Sequence, residues 1–342
     1  MKTAVFLSTI VLFISATICS ADQGEYTFDA LSYSVSARAL GLGNALSCYA
    51  DDASAPFWNP AELSSISKYS LSTAYSDLFG SFRAGLVKYN FIAYAQRIEG
   101  IGTVGLGWMR VGVEDIPITG EDFIDVNGNG KKGDFQDKNG NGVKDPGEMY
   151  IDLPIISGSF DSHDDVILIS YGIGVTSRLS AGISLKLLQQ KIYTNMSTGW
   201  GVDLGLSHRL WSGDGDKVSG EMRLAFVLRD LGTHVRWDTP SRASFSRPLS
   251  YTLGVAGRMG IRPFVSLLLN VDYRSDGREI WVGTELSILR VLSLRCGLYR
   301  KRPTFGAGFR IPLKTTSIRV DYAFTSHDEL GRSQMVAASL GM

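Results

Sequence analysis

The sequence predicts an all-β chain, a 14-stranded antiparallel transmembrane β-barrel with a short N-terminal helical plug segment. Three observations carry that expectation. An export signal opens the chain. Apolar residues then alternate with polar or small ones in segment after segment. The connections between those segments alternate between short and long. A mean hydropathy of +0.04 agrees, because only alternate residues of a barrel strand face lipid. The 34 basic and 34 acidic residues cancel, which leaves no electrostatic footprint for nucleic acid.

Met1-Lys2 is a short basic start, Ala4 to Ile18 is an apolar run, and Cys19-Ser20-Ala21 supplies small residues before Asp22. This pattern reads as a signal peptide over 1–21, cleaved after Ala21 and outside the fold. Bulky Ile18 argues against lipoprotein processing at Cys19. Two cysteines then remain, Cys48 and Cys296. Cys296 alternates with Leu294 and Leu298 on a greasy strand face and reads as a small hydrophobe, not half of a bridge.

Residues 22–67 do not alternate. Asn59-Pro60-Ala61-Glu62 is a helix start: Asn59 can cap, Pro60 suits the first helical position, and Glu62 can reach back as in a capping box. Asp51-Asp52 reads as a pair of carboxylates before a short helix at 53–58. A compact segment ahead of a barrel lies at the mouth or in the lumen. Asp51, Asp52, Asn59, Pro60, Ala61 and Glu62 are its expected plug or gate residues.

From 68 to 342 the chain reads as barrel, with segments near 68–76, 86–98, 102–114, 164–176, 179–192, 200–211 and 219–231. They continue near 249–260, 262–275, 277–289, 291–301, 303–312, 315–326 and 332–342. In FVSLLLNVDY, at 264–273, Val265, Leu267, Leu269, Val271 and Tyr273 share one face, opposite Ser266, Asn270 and Asp272. Period two means a strand with two unlike faces. Many segments have about ten residues, the length a tilted strand needs to cross a bilayer. The segment at 102–114 fits worst; its phase breaks near Arg110, a predicted bulge. A soluble sandwich is disfavoured because Asp272, Glu285, Arg295, Arg319 and Asp321 occupy inward positions, and a dry core does not take that many charges. Glu285, Arg295, Arg319 and Asp321 form an expected lumen network. Counted from a periplasmic start, the turns at 176–179, 259–262 and 289–291 fall on one side. The long connections at 115–163 and 232–248 fall on the other.

The 115–163 insertion carries DVNGNGKKGDFQDKNGNGVKDPGE, residues 125 to 148. Its second half follows a twelve-residue calcium loop. Asp137, Asn139 and Asn141 stand at positions one, three and five, with Gly142 at the sharp turn. Val143 supplies a carbonyl, Asp145 sits at nine and Glu148 at twelve. Hard oxygen donors at this spacing suit Ca²⁺ rather than zinc. The first half starts the same way with Asp125, Asn127 and Asn129, but Gly133 and Gln136 fall where ligands belong. It is an incomplete second site that Asp134 or Asp137 could complete. The expected role is structural: the ion orders a glycine-rich backbone outside the membrane.

Nothing points to catalysis. His163, His208, His234 and His327 form no His-Glu-x-x-His pair, and there is no Gly-x-Ser-x-Gly elbow or phosphate loop. Asp203 and His208 have opposite parity on a regular strand and so face opposite sides. The chain is not expected to be an enzyme.

The stretch SARALGLGNALSCYADDASAPFWNPAEL resembles the opening signature of the PorV/PorQ family, outer-membrane proteins within the FadL-like barrel group. The resemblance continues through Tyr89-Asn90-Phe91-Ile92-Ala93-Tyr94-Ala95 and Gly201-Val202-Asp203-Leu204-Gly205. It includes Leu228-Arg229-Asp230-Leu231-Gly232, where the family more often has Asn in place of Asp230. It ends with Leu294-Arg295-Cys296-Gly297 and Val320-Asp321-Tyr322-Ala323-Phe324. The resemblance implies fourteen strands, with the N-terminal segment and its Asn59-Pro60-Ala61 folded into or against the lumen. The closing Leu340-Gly341-Met342 departs from the aromatic end that outer-membrane assembly often reads. The resemblance also implies a Gram-negative outer membrane and a docking or shuttle role in type IX-like protein secretion, with secretion-system proteins or exported cargo as partners. The alternative is a FadL-like passive transporter of hydrophobic small molecules with the plug as gate. A third expectation is a calcium-stabilised surface scaffold.

Overall fold

The computed structural model describes residues 29–78, 87–128, 130, 133–146, 148–215, 217–261, 264–327 and 331–342. The expected signal peptide, its cleavage site and Asn129 lie outside the described residues.

Among the described residues, fifteen strands follow the N-terminal segment. They are β1 Tyr69–Leu78, β2 Val87–Ile98, β3 Gly102–Ile124, β4 Leu153–Gly174 and β5 Leu179–Ile192. β6 Asn195–Asp214, β7 Val218–Trp237, β8 Ser244–Ser246, β9 Ser250–Ile261 and β10 Val265–Arg274 come next. β11 Glu279–Ile288, β12 Leu292–Tyr299, β13 Arg302–Pro312, β14 Ser317–His327 and β15 Gly331–Gly341 complete the set. All pair antiparallel with their neighbours. β1 pairs with β15 and β6 with β7, so fourteen strands close into one ring; three-residue β8 lies only against the upper part of β7. Closure matters physically: in lipid a strand edge has no water to bond its N–H and C=O groups.

Side-chain parity separates two environments. On β10, Leu267 and Leu269 are each 50% exposed, while Leu268, Asn270 and Asp272 between and beyond them are at most 2% exposed. The same alternation puts Leu71, Tyr94, Leu106, Ile169, Leu253 and Phe305 on the outer surface. That greasy exterior around a closed ring is a transmembrane barrel. Tyr75, Trp200, Trp211, Phe309 and Tyr322 are also exposed on this surface.

Three expectations need correction. The 115–163 insertion is not one loop. β3 and β4 run 23 and 22 residues, and their distal halves pair only with each other, so a two-stranded ribbon leaves the wall before the loop at 125–152 begins. Register shifts at Val113/Ile116, Ile118/Thr119 and Thr119/Phe123 interrupt the period-two pattern that would signal these strands. The 232–248 connection likewise starts inside β7, which continues to Trp237. The phase break is not at Arg110, where the ladder runs unbroken from Asn90 through Arg110 to Asp165. The first shift lies between Val113 and Ile116, where Asp115 has φ 56°. Arg110 disturbs the pattern because it faces outward in a bidentate pair with Asp165, whose oxygens are each 2.8 Å away.

The N-terminal segment lies in the lumen. A 3₁₀ turn at Asp29–Ser32 leads to a helix at Ala37–Gly41, a second at Ala55–Trp58 and a 3₁₀ helix at Pro60–Ser65. Leu42, Leu46, Trp58 and Leu63 are 0–3% exposed and pack on Phe91, Met109, Leu168 and Met335 from the wall. Cys48 is buried and Cys296 exposed, and both are free.

Replacing outward Leu269 by Arg, near the middle of β10, should destabilise the barrel by about 2–4 kcal/mol. Val143→Arg in the loop should stay within about 0.5 kcal/mol. Denaturant unfolding in lipid vesicles distinguishes these outcomes; equal, small effects would contradict a lipid-facing position for Leu269.

Candidate functional site: the plugged lumen

The lumen site starts from a local constraint. Charges at inward strand positions are removed from bulk water and must find partners. The plug supplies them. Arg38, on the first plug helix, bonds Glu285 of β11 at 3.0 Å and Asp51 of the plug at 2.5 Å. Arg295 of β12 bridges Glu285 at 2.6 Å and Asp321 of β14 at 2.7 Å. Arg319 of β14 reaches Asp321 at 3.0 Å, Asp51 at 3.3 Å, and Asp52. The structure thus brings Glu285, Arg295, Arg319 and Asp321 together, and joins Asp51 and Asp52 to them. Asp52 also accepts from Ser54 N at 2.9 Å, just ahead of the second helix. Its local turn and its ion pair coexist.

Arg229, Arg223 and Asp272 hold the plug from the other side. Arg229 of β7 donates to the carbonyls of Phe57 at 2.8 Å and Trp58 at 2.6 Å. Beside it, Lys186 of β5 sits 2.7 Å from Asp203 of β6 and also pairs with Asp230, which Arg247 approaches at 3.3 Å. Glu62 lies 3.1 Å from Arg223 of β7, and Arg223 continues to Glu221 at 2.9 Å. The guanidinium groups of Arg223 and Arg258 stand 4.3 and 4.5 Å from the ring centre of Tyr49. Ser47 donates its N–H and hydroxyl to Asp272 of β10 at 3.0 and 2.6 Å.

The Asn59-Pro60-Ala61-Glu62 turn forms, with a changed role for its last residue. Asn59 Oδ1 accepts from Ala61 N at 3.0 Å, and Asn59 Nδ2 donates to Ser47 O at 2.9 Å and Leu206 O at 3.2 Å. The expected capping box does not close. Asn59 N is already taken by Ala55 O at 2.8 Å, the end of the preceding helix, so Glu62 turns to Arg223 instead. The wall accommodates this turn with glycine. A Cβ on Gly205 would stand 2.1 Å from Asn59 Oδ1, and one on Gly182 2.3 Å from the Pro60 carbonyl carbon.

Sequence reasoning missed Arg38, Arg223 and Arg229, which join plug and wall, and Lys186, Asp203 and Asp230, which pair between wall strands beside them. Their signal was present: each wall residue of this set except Asp230, which is left-handed at φ 61°, is a charge at an inward-parity position of a regular strand.

Cavities flank the plug at both ends. At the short-turn end are polar cavities of about 630, 610 and 370 Å³. At the long-loop end a pocket of about 210 Å³ is lined by Tyr33, Leu40, Asn44, Leu78, Tyr299 and Met335, among others. The two ends share no lining residue. Asn44 is 2% exposed and its Oδ1 has no hydrogen-bond partner among the described residues.

The 137–148 loop forms a separate arrangement. Asp137 accepts from the N–H of Gly140 at 2.6 Å and Gly142 at 2.7 Å. These backbone donors, Gly142 foremost, hold its carboxyl below the usual range. The amides of Asn139 and Asn141 reach Asp145 Oδ2 at 2.5 and 2.8 Å, and Asn141 Oδ1 accepts from Val143 N at 2.7 Å. Glu148 closes the ring by accepting from Lys138 N at 2.7 Å and Asp145 N at 2.9 Å. Among the described residues no group of three or more His, Cys, Asp or Glu converges on one point, so this ring depends on its asparagines. In the preceding repeat, Asp125 accepts from Gly128 and Gly130, and Asn127 donates to Asp134 at 2.7 Å. Of the histidines, His163 faces Asp165 at 3.7 Å, and His208 is exposed while Asp203 is buried.

No family model and no curated protein matches this chain. Among solved structures, the toluene transporter TodX of Pseudomonas putida is 13% identical over 90% of this chain and 96% of its own, with a TM-score of 0.49. The toluene transporter TbuX of Ralstonia pickettii is 13% identical over 92% and 98%, with a TM-score of 0.47. A FadL homologue of Pseudomonas aeruginosa is 11% identical over 90% and 97%, with a TM-score of 0.43. Likenesses this distant assign neither a ligand nor a role.

Arg229→Met removes both bonds to the plug carbonyls. The opening free energy of residues 53–65 should fall by about 1.5–3 kcal/mol, the range for hydrogen bonds to a charged group. Hydrogen exchange read by mass spectrometry checks it; unchanged protection there would mean that Arg229 does not hold the plug.

Proposed function

We propose that this protein is a Gram-negative outer-membrane barrel that passes small hydrophobic compounds inward, with the N-terminal segment as a resident gate. It is not an enzyme. The observation that carries this reading is the pocket at the long-loop end. Its floor is the plug itself, at Leu40 and Asn44, and Leu78, Tyr299 and Met335 give it apolar walls. A compound arriving from outside meets, directly on the gating element, a recess with these apolar walls and with Arg300, Arg302 and Ser333 as polar ones. Binding there favours any arrangement in which the plug gives way, by the difference in affinity between the two states. The polar cavities at the opposite end suit release into water.

A second reading is supported by the plug's grip. A plug clamped by buried ion pairs to β7, β11 and β14 suits a barrel whose lumen never opens. That is a docking or shuttle component for exported proteins, as resemblance to the PorV members implies. Uptake of a hydrophobic fluorescent tracer into proteoliposomes separates the two. Under the transport reading Leu40→Trp, which fills the pocket, should slow uptake roughly tenfold, equivalent to about 1.4 kcal/mol. A wild-type rate no higher than protein-free liposomes would reject transport and leave docking.

The 137–148 loop binds Ca²⁺ through Asp137, Asn139, Asn141, the Val143 carbonyl, Asp145 and Glu148, and the ion stiffens the outer ribbon. Affinity should be on the order of 10⁻⁴–10⁻³ M, as in other extracellular modules. Calorimetry should show the site lost in Asp137→Ala; equal heats in wild type and variant would reject it.

A further inference from the structure

We infer that Asp152, which lies beyond both glycine-rich repeats, completes a second Ca²⁺ site in the first repeat, so that the outer loop is a paired two-ion module. The inference rests on the calcium reading of 137–148 and extends it to residues whose own sequence lacks the closing ligand.

The two repeats have the same internal wiring. In each, the first Asp accepts from the N–H groups at positions four and six, through the corresponding oxygens. Asp125 takes Gly128 at 2.7 Å and Gly130 at 2.6 Å, and Asp137 takes Gly140 at 2.6 Å and Gly142 at 2.7 Å. In each, the position-three amide donates to a carboxylate near the loop's end. Asn127 reaches Asp134 at 2.7 Å and Asn139 reaches Asp145 at 2.5 Å. The repeats differ at closure. In the second, Glu148 closes the loop from position twelve. In the first, position twelve is Gln136, which supplies no carboxylate.

Tertiary structure brings one in. A short antiparallel bridge joins Phe135 to Tyr150, with Gln136 N bonded to Met149 O and Ile151 N to Asp134 O, both at 2.8 Å. The bridge carries the chain after the second repeat back beside the first. Asp152 Oδ2 there accepts from Gly133 N and Asp134 N, each at 3.0 Å. Gly133 is position nine, the counterpart of Asp145, whose N–H Glu148 accepts. Asp152 therefore takes the position-nine N–H that the closing Glu takes in the neighbouring loop; its other donor is at position ten, where that of Glu148 is at position two.

An independent observation points to a ligand. Asp152 is only 7% exposed, and its Oδ1 is buried without a hydrogen-bond partner. Both oxygens share one carbon, so Oδ1 lies beside the same loop. A buried carboxylate oxygen left unpaired is unfavourable unless a cation meets it. The other side-chain oxygens of this repeat, on Asp125, Asn127 and Asp134, are hard ligands, which select Ca²⁺ over softer metals.

The test is calcium stoichiometry on the full-length protein in detergent, by calorimetry and by sensitised terbium luminescence. Wild type should bind two ions. Asp152→Asn should bind one and Glu148→Gln one, while Asp152→Glu, which keeps the carboxylate, should retain two. The Glu variant also guards against a simple folding defect at this position. Two ions bound by Asp152→Asn, or one by wild type that only Glu148→Gln abolishes, would overturn the Asp152 site and leave 137–148 standing. No binding by wild type would remove both.

Discussion

Burial of charge inside a closed ring is the constraint on which the rest of the structure depends. Arg295, Arg319, Glu285 and Asp321 are 2–7% exposed on the inner wall, and no lone carboxylate or guanidinium is stable at that depth. They neutralise one another only in part. Arg38, Asp51 and Asp52 of the N-terminal segment enter the same lattice. Ring and plug are therefore one folding problem. The wall's charges need the plug, and the plug's short helices, four to six residues each, could not persist in water alone.

Shape complements charge. Gly182 and Gly205 let the wall's backbone approach the Asn59-Pro60 turn within the space a methyl group would fill. Asn59 then spends every polar atom of its side chain on Ala61, Ser47 and Leu206. The motifs that carry the family resemblance acquire a physical meaning here. Gly205, Arg229, Arg295 and Asp321 are inward residues that face the plug or its salt-bridge partners, and Asp203 and Asp230 hold Lys186 beside Arg229. Gly297 lies under Gly43, where a Cβ would stand 2.3 Å from its nitrogen.

The outer ribbon follows a different rule. Beyond the wall β3 and β4 have only each other, so neither lipid nor a core constrains their tips. Order at 125–152 comes from carboxylates capping backbone N–H groups in two similar turns, and from the Phe135–Tyr150 bridge.

How much was legible follows from the range of each interaction. Period-two patterning is local, so each of the fourteen barrel segments could be read one at a time, and Leu269 outward with Asp272 inward needed no partner to be assigned. The Asp137–Glu148 spacing was local too. Long-range choices were not readable. Glu62 looked like a capping residue until Ala55 O took the N–H it would have reached. Asp230 and Lys186, and Asp152 and Gly133, are 44 and 19 positions apart and meet only in the folded chain. The linear order of residues determined which faces are greasy, where the strands fall and which loop carries hard ligands, because those depend on near neighbours. Only the tertiary structure decided which charges pair and how the plug seats, because ring closure is what brings distant inward positions within bonding distance, and only the Phe135–Tyr150 bridge set Asp152 against Gly133.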